Sequence, residues 1–232
     1  MKIDFTTTAV LRPEILERTY RSFRDNLRGI ELCDQALHIH LDHFGYGLVG
    51  DVFETSRLFF KEVRMWNNHS NLRNGPSFPA AVKWCWSQPT TEFFFHLEDD
   101  WELTRPFDFT RLTQAMEEDP NLTSASLRAY GGPENDNRIL LSPGLFRTTH
   151  AKAIAERLSI HANPEKQLRD ASPENPHGGK QGLYYGRQVP SEVNLRDIGR
   201  EWLDASPYRK ERPIFFTKWV EKDEYDNGTK PQ

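Results

Sequence analysis

One stretch constrains this chain more than any other: Phe93 to Leu103, which reads FFFHLEDDWEL. Three aromatics, a His and a Leu with strong β preference run into Glu98, Asp99 and Asp100, so the pattern predicts a buried strand delivering three carboxylates to one place. Like charges this close raise one another's pKa, and such a cluster is stabilised by a bound cation, by hydrogen bonds or by water. Hard oxygen ligands suit Mg²⁺ or Mn²⁺, which keep several waters and share the rest of their shell with substrate phosphates. The plainer alternative is an acidic turn that only caps a strand.

The chain around this stretch reads as one domain. Its 232 residues, 37% of them hydrophobic, are enough to bury one substantial core. A net charge of -4 excludes a global positive field for nucleic acid or anionic membranes, although a local basic patch is compatible with it. Cys33 and Cys85 form neither a disulfide framework nor a zinc-ligand spacing and are expected to be reduced core residues. The N-terminus, MKIDFTTTAVLRPEIL, lacks the apolar core of a signal peptide, and no stretch approaches the roughly eighteen apolar residues of a membrane span, so the expected compartment is the cytoplasm.

Strands are expected over Ile3 to Val10, Ala36 to Leu41 (ending at Asp42), Glu62 to Trp66, Leu122 to Tyr130 and Arg138 to Leu141. Helices are expected over Pro13 to Leu27, Gly50 to Phe60, Pro79 to Ser87, Phe107 to Glu118, Thr149 to Leu158, Asn163 to Arg169 and Asn194 to Leu203. The glycine- and proline-rich run from Ala171 to Arg187 reads as a loop. Strand-helix-strand order argues for a parallel α/β sheet, in which ligands bind beyond the carboxyl ends of the strands. Thr6, Thr7, Thr8 and Asp42 then share the acidic rim. The threonines can offer hydroxyl and backbone groups to a base, and Asp42 can accept hydrogen bonds from a base or ribose; capping of strand ends is the structural alternative. His96 reads as a core histidine. Trp84, Trp86, Trp101 and Trp202 read as core or as flat platforms for a ligand ring.

A first strand and helix written DFTTTAVLRPEILERTYRSF, a strand ending in Asp42, LEDDW, and the later LSPGLFR and NPEKQLRD together resemble the GT-A glycosyltransferases, family 2-like in pattern, over roughly residues 2 to 170. The resemblance implies an α/β, GT-A-like fold: a mostly parallel central sheet flanked by helices, with a Rossmann-like nucleotide-binding half at 1–104 and an acceptor half at 105–222; the charged last residues, 223–232, read as a frayed tail. It implies a nucleoside-diphosphate-sugar donor, a UDP-sugar first, whose diphosphate is held by Mn²⁺ or Mg²⁺. By that likeness Asp100 coordinates the metal, Glu98 and Asp99 contact ribose or metal-bound water, and His177 is an additional metal ligand or phosphate contact. An inverting transfer also needs a carboxylate base, for which Glu165 and then Asp170 are the candidates; first-turn helix acids are also favoured by the dipole alone. Arg200, with Lys180, Arg187 and Arg196, can meet the diphosphate or an anionic acceptor.

Two rivals stand beside this reading. A sugar nucleotidyltransferase opens with a glycine-rich phosphate loop after its first strand, and TTTAVLRPE contains no glycine. A non-catalytic nucleotide- or metal-binding module can use the same acidic strand end. The acceptor is expected to be a saccharide. The alternative is DNA with hydroxymethylated pyrimidines, as in phage enzymes, for which eight basic against six acidic residues from Arg187 to Lys222, a net of +2, form a weak footprint.

Overall fold

The computed structural model describes residues 2–67, 77–127, 139–141, 143–169, 185–189, 195–211 and 218–222. The chain begins with β1 (Asp4–Leu11), α1 (Pro13–Asn26), β2 (Leu27–Arg28), β3 (Ala36–Gly45), α2 (Val49–Arg57), β4 (Glu62–Asn67) and α3 (Ser77–Ser87). Next come β5 (Phe93–His96), β6 (Trp101–Leu103), β7 (Phe107–Asp108), α4 (Thr110–Glu118), β8 (Leu122–Ser126), β9 (Gly144–Arg147), α5 (Thr148–Arg157) and α6 (Pro164–Arg169). It closes with β10 (Tyr185–Gln188), β11 (Leu195–Asp197), α7 (Gly199–Ala205), β12 (Tyr208–Glu211) and β13 (Lys218–Glu221).

Seven strands form the central sheet in the order β10, β8, β9, β5, β1, β3, β4. The pairs β1–β3, β1–β5, β3–β4 and β8–β10 are parallel, and β9 runs antiparallel to both β5 and β8. This is the mostly parallel, helix-flanked sheet that the strand-helix alternation implies.

The two-residue period of β5 sorts its aromatics onto opposite faces. Phe93 and Phe95 join one core with Leu16, Tyr20 and Phe23 of α1, Val52 of α2 and Leu112 and Met116 of α4. Phe94 faces the other way, into a core with Val82, Cys85 and Trp86 of α3, Ile154 of α5 and Leu168 of α6. On the first face the rings of Phe5, Phe60 and Phe95 meet with centroids 5.3 Å apart, so the sheet is clamped between two apolar layers.

Several boundaries differ from the sequence expectation. FFFHLEDDWEL is not one strand: β5 stops at His96, the acids lie in a turn, and β6 leaves the main sheet to pair antiparallel with β11. β3 continues through Asp42 to Gly45, because it keeps pairing with β1 up to a register shift after Val10. Residues 139–141 form no strand; Ile139 and Leu141 are instead buried against α3 and α5. The predicted helix from Asn194 begins as β11 and turns helical only at Gly199, since β6 offers residues 195–197 an open edge. Phe107 and Asp108 likewise pair with β2 before α4 starts. Cys33 is exposed rather than in the core, and Cys85 is buried.

Gly45 closes the β3 rim with φ at +118°, and a Cβ there would overlap the Leu11 carbonyl that accepts hydrogen bonds from Tyr46 N and Gly47 N at 2.9 and 3.0 Å. Both the backbone conformation and the space require glycine. Gly45→Ala is therefore expected to destabilise the protein by about 2 kcal/mol and lower its Tm by roughly 4–8 °C in a thermal melt, with an unchanged Tm as the contrary result.

Candidate active site

The parallel strands β1, β3 and β5 end on one rim, and the acidic turn is stitched to it by the backbone. Leu97 N donates to Thr6 O at 2.9 Å and Asp99 N to Thr8 O at 3.3 Å, so the turn follows β1 beyond the end of β5. Thr19 on α1 donates its hydroxyl to Asp99 O at 2.8 Å. The turn is therefore a fixed extension of the sheet.

The three acids have three different environments. Asp99 points inward: its carboxylate accepts Arg12 Nε at 2.8 Å, Arg12 Nη2 at 2.6 Å and Val10 N at 3.1 Å. Burial pushes this carboxyl up, and the guanidinium it grips opposes that shift. Burial likewise acts to lower Arg12, but the charges of Asp99 and Asp100 outweigh it and hold the guanidinium protonated, so the pair is a buried ion pair. Asp100 takes only one bond from Arg12, to Oδ2 at 2.9 Å, and its side chain is 18% exposed. Glu98 is half-buried, and its Oε2 accepts the indole N–H of Trp101 at 2.9 Å.

The C-terminal segment roofs this turn. Ile198 N donates to Asp100 O at 2.9 Å, and a Cβ on Gly199 would overlap the Asp100 carboxylate, so α7 sits directly on Asp100. Trp202 lies over Arg12, its ring centroid 5.1 Å from the guanidinium carbon, and stacks on Tyr208, which contacts Tyr46 and Phe44. Lys222 holds α7 in place by donating to the carbonyls of Leu203, Asp204 and Ser206.

The other predicted residues are spread more widely. Thr6 and Thr7 lie in mid-strand, fully buried, and are engaged with the interior: Thr6 Oγ1 meets His96 Nδ1 at 2.8 Å, and Thr7 Oγ1 accepts from Tyr20 at 3.2 Å. Thr8 and Asp42 lie nearer the rim, each 7% exposed. Asp42 Oδ1 is 3.6 Å from His40 Nδ1, and burial lowers His40 to about 4, so this contact joins a neutral imidazole to a carboxylate. His96 is the expected core histidine, lowered by burial to about 3.

Arg200 is exposed near Asp197 at 3.9 Å, Arg196 pairs with Glu102 at 2.5 Å, and Arg187 lies 3.8 Å from Glu118. Glu165 is exposed on α6, and Leu168 of that helix packs beneath α3 and α5. Asp170, His177 and Lys180 lie outside the described residues. Arg12 and its cover Trp202 are the residues that sequence reasoning missed as a site pair. The available signal was an arginine placed after the last apolar residue of β1 and before the helix-starting Pro13.

Among the described residues no group of three or more His, Cys, Asp or Glu is arranged to hold a metal. Of the three acids, Asp100 and Glu98 are the ones that could offer an oxygen to an ion, because Asp99 is committed to Arg12 and Val10. So few protein ligands fit a Mg²⁺- or Mn²⁺-type ion that brings water and phosphate oxygens with it, not a caged resident ion.

The architecture is that of the GT-A-like α/β proteins. Among solved structures it is similar to the mannosyltransferase PcManGT from Pyrobaculum calidifontis in complex with GDP-Man and Mn²⁺ (TM-score 0.50, 9% identity, 83% of this chain and 59% of that one). It is also similar to HddC from Yersinia pseudotuberculosis (TM-score 0.51, 10% identity, 88% of this chain and 97% of that one). S. aureus TarS 1–349 in complex with UDP aligns at TM-score 0.48 and 11% identity, covering 80% of this chain and 60% of that one. The chain thus spans less than two thirds of the mannosyltransferase and of TarS. No protein-family profile and no curated protein matches the sequence. No helix among the described residues is long and apolar enough to cross a membrane.

Proposed function

We propose that this protein is a glycosyltransferase that moves a sugar, a hexosyl or pentosyl group, from a nucleoside-diphosphate sugar to an acceptor hydroxyl. UDP-sugars are the first donors to consider, and the acceptor is a saccharide. The observation that carries the reading is Asp100: a partly exposed carboxylate at the carboxyl end of the central parallel strand, in a GT-A-like sheet, with its neighbour Asp99 neutralised from inside. Glu98, Asp99 and Asp100 with Arg12 sum to a formal charge of -2, which a divalent ion balances. The mannosyltransferase that shares this fold is recorded with GDP-Man and Mn²⁺, which favours such an ion here.

Asp100 would hold such an ion, which would supply positive charge against the negative charge developing on the departing diphosphate. Asp100 fixes its position, and Glu98 orients ribose or water beside it. Thr8 and Asp42 meet the nucleoside at the rim, while Thr6 and Thr7 act through the strand that carries Thr8. Arg200 contributes positive charge at the mouth. Glu165 or Asp170 takes the acceptor's proton if the transfer inverts configuration, and His177 supplies a further ligand to the ion.

The test is formation of nucleoside diphosphate from UDP- and GDP-sugars with Mn²⁺ or Mg²⁺, with and without saccharide acceptors. Asp100→Asn is expected to lower turnover about 100-fold or more with the protein still folded. Glu165→Gln and Asp170→Asn assayed beside it separate the two candidate bases. If no donor yields nucleoside diphosphate with either ion, the transferase reading fails in favour of the non-catalytic module.

A further inference from the structure

The Arg12 guanidinium carries five N–H groups. Nε donates to Asp99 Oδ2, and Nη2 donates to Asp99 Oδ1 and Asp100 Oδ2. These bonds use three of the five. The remaining two, on Nη1, are buried without a hydrogen-bond partner among the described residues, in a side chain that is 3% exposed. The face of Trp202 above the guanidinium attracts its charge but supplies no acceptor atom in the plane of the fork. A fold that binds two edges of a buried arginine so closely and leaves the third donor unsatisfied requires an explanation.

We propose that Nη1 of Arg12 is a contact for the diphosphate of the nucleotide donor, so that the buried arginine both orients Asp100 and binds substrate. The inference rests on the donor class proposed above. Two observations point to phosphate. The guanidinium lies at the acidic turn itself and donates to Asp100 at 2.9 Å, so a diphosphate drawn to an ion held by that carboxylate would come to lie beside the arginine. The unused Nη1 also presents two N–H groups fixed in direction by the Asp99 clamp, which suits the tetrahedral oxygens of phosphate and costs little ordering on binding. Trp202 covers this position, so donor entry shifts the α7 roof, for which the side-chain-free Gly199 is the contact on Asp100.

Calorimetric binding of UDP, GDP, uridine and guanosine in saturating Mn²⁺ tests this. The Arg12→Met/Asp99→Asn double variant removes one positive and one negative charge together, so the net charge of the cluster is unchanged and no bare buried ion remains. Its affinity for whichever diphosphate the parent binds is expected to fall about 10-fold or more, with the affinity for the matching nucleoside unchanged. Arg12→Lys keeps the cation without the fork and answers the question if the double variant does not fold; several-fold weaker diphosphate binding, again with unchanged nucleoside binding, is expected. Diphosphate affinity equal to the parent's in a folded variant overturns the inference and leaves Arg12 a purely structural counterion. Absence of UDP and GDP binding by the parent protein removes the donor reading itself, and this inference with it.

Discussion

Asp99→Leu is expected to lower the Tm by about 10 °C, whereas Asp100→Asn, one residue on, shifts it by only a few degrees. The two side chains are adjacent in sequence but differ in surroundings. Asp99 is 4% exposed, clamps Arg12 through two oxygens and accepts Val10 N, so its removal strands a buried guanidinium and an amide. Breaking a buried pair in this way costs about 3–5 kcal/mol, and a domain of this size loses roughly 2–4 °C per kcal/mol. Asp100 shares a single bond with the same arginine and retains access to water, and an asparagine there still accepts that bond. Thermal melts of the two variants decide the matter. Equal shifts for both would mean that Asp99 does not anchor the turn.

Acid should unfold the protein well above the pH at which its carboxylates alone would fail. His40 and His96 are buried, and burial lowers them from an ordinary value of 6.5 to about 4 and about 3. The sign follows from where the protons bind. Between the folded and unfolded values only the unfolded chain takes up protons, so stability is complete above pH 6.5 and declines as pH falls toward 4 and then 3. At about 1.4 kcal/mol per pH unit, His40 contributes on the order of 3 kcal/mol and His96 on the order of 5 kcal/mol, together comparable with the roughly 5–15 kcal/mol that holds a domain folded. Asp4 acts in the same direction at lower pH: burial raises its carboxyl, but the His38 ring 3.8 Å away and hydrogen bonds from Thr90 and Thr91 outweigh this and hold it well below the usual range. Urea midpoints measured from pH 7.5 to 4 should fall steadily below pH 6.5, and His96→Asn should flatten the curve. A midpoint constant down to pH 4 would show that the two imidazoles are not buried as neutral groups.

The periodicities of the chain determined its layers. The helix over Pro13–Asn26, the strand beginning at Ala36 and the helix around PAAVKWCWS were legible because each must cover the sheet with one apolar face, and that demand is written locally in the spacing of residues. FFFH was legible as the buried central strand for the same reason. Local pattern could not divide the acids, since Glu98, Asp99 and Asp100 look alike in sequence, and which of them faces inward depends on Arg12, nearly ninety positions away. It also could not show that residues 195–197 would leave a predicted helix to pair with β6, or that Gly199 and Trp202 would come to rest on Asp100 and Arg12. The sequence by itself thus determined the sheet, its flanking helices and the place where acids gather. Only the tertiary structure decided which acid is an anchor and which keeps access to water, because ionic and hydrogen-bond partners are chosen by proximity in space, whereas the apolar period is set by neighbours along the chain.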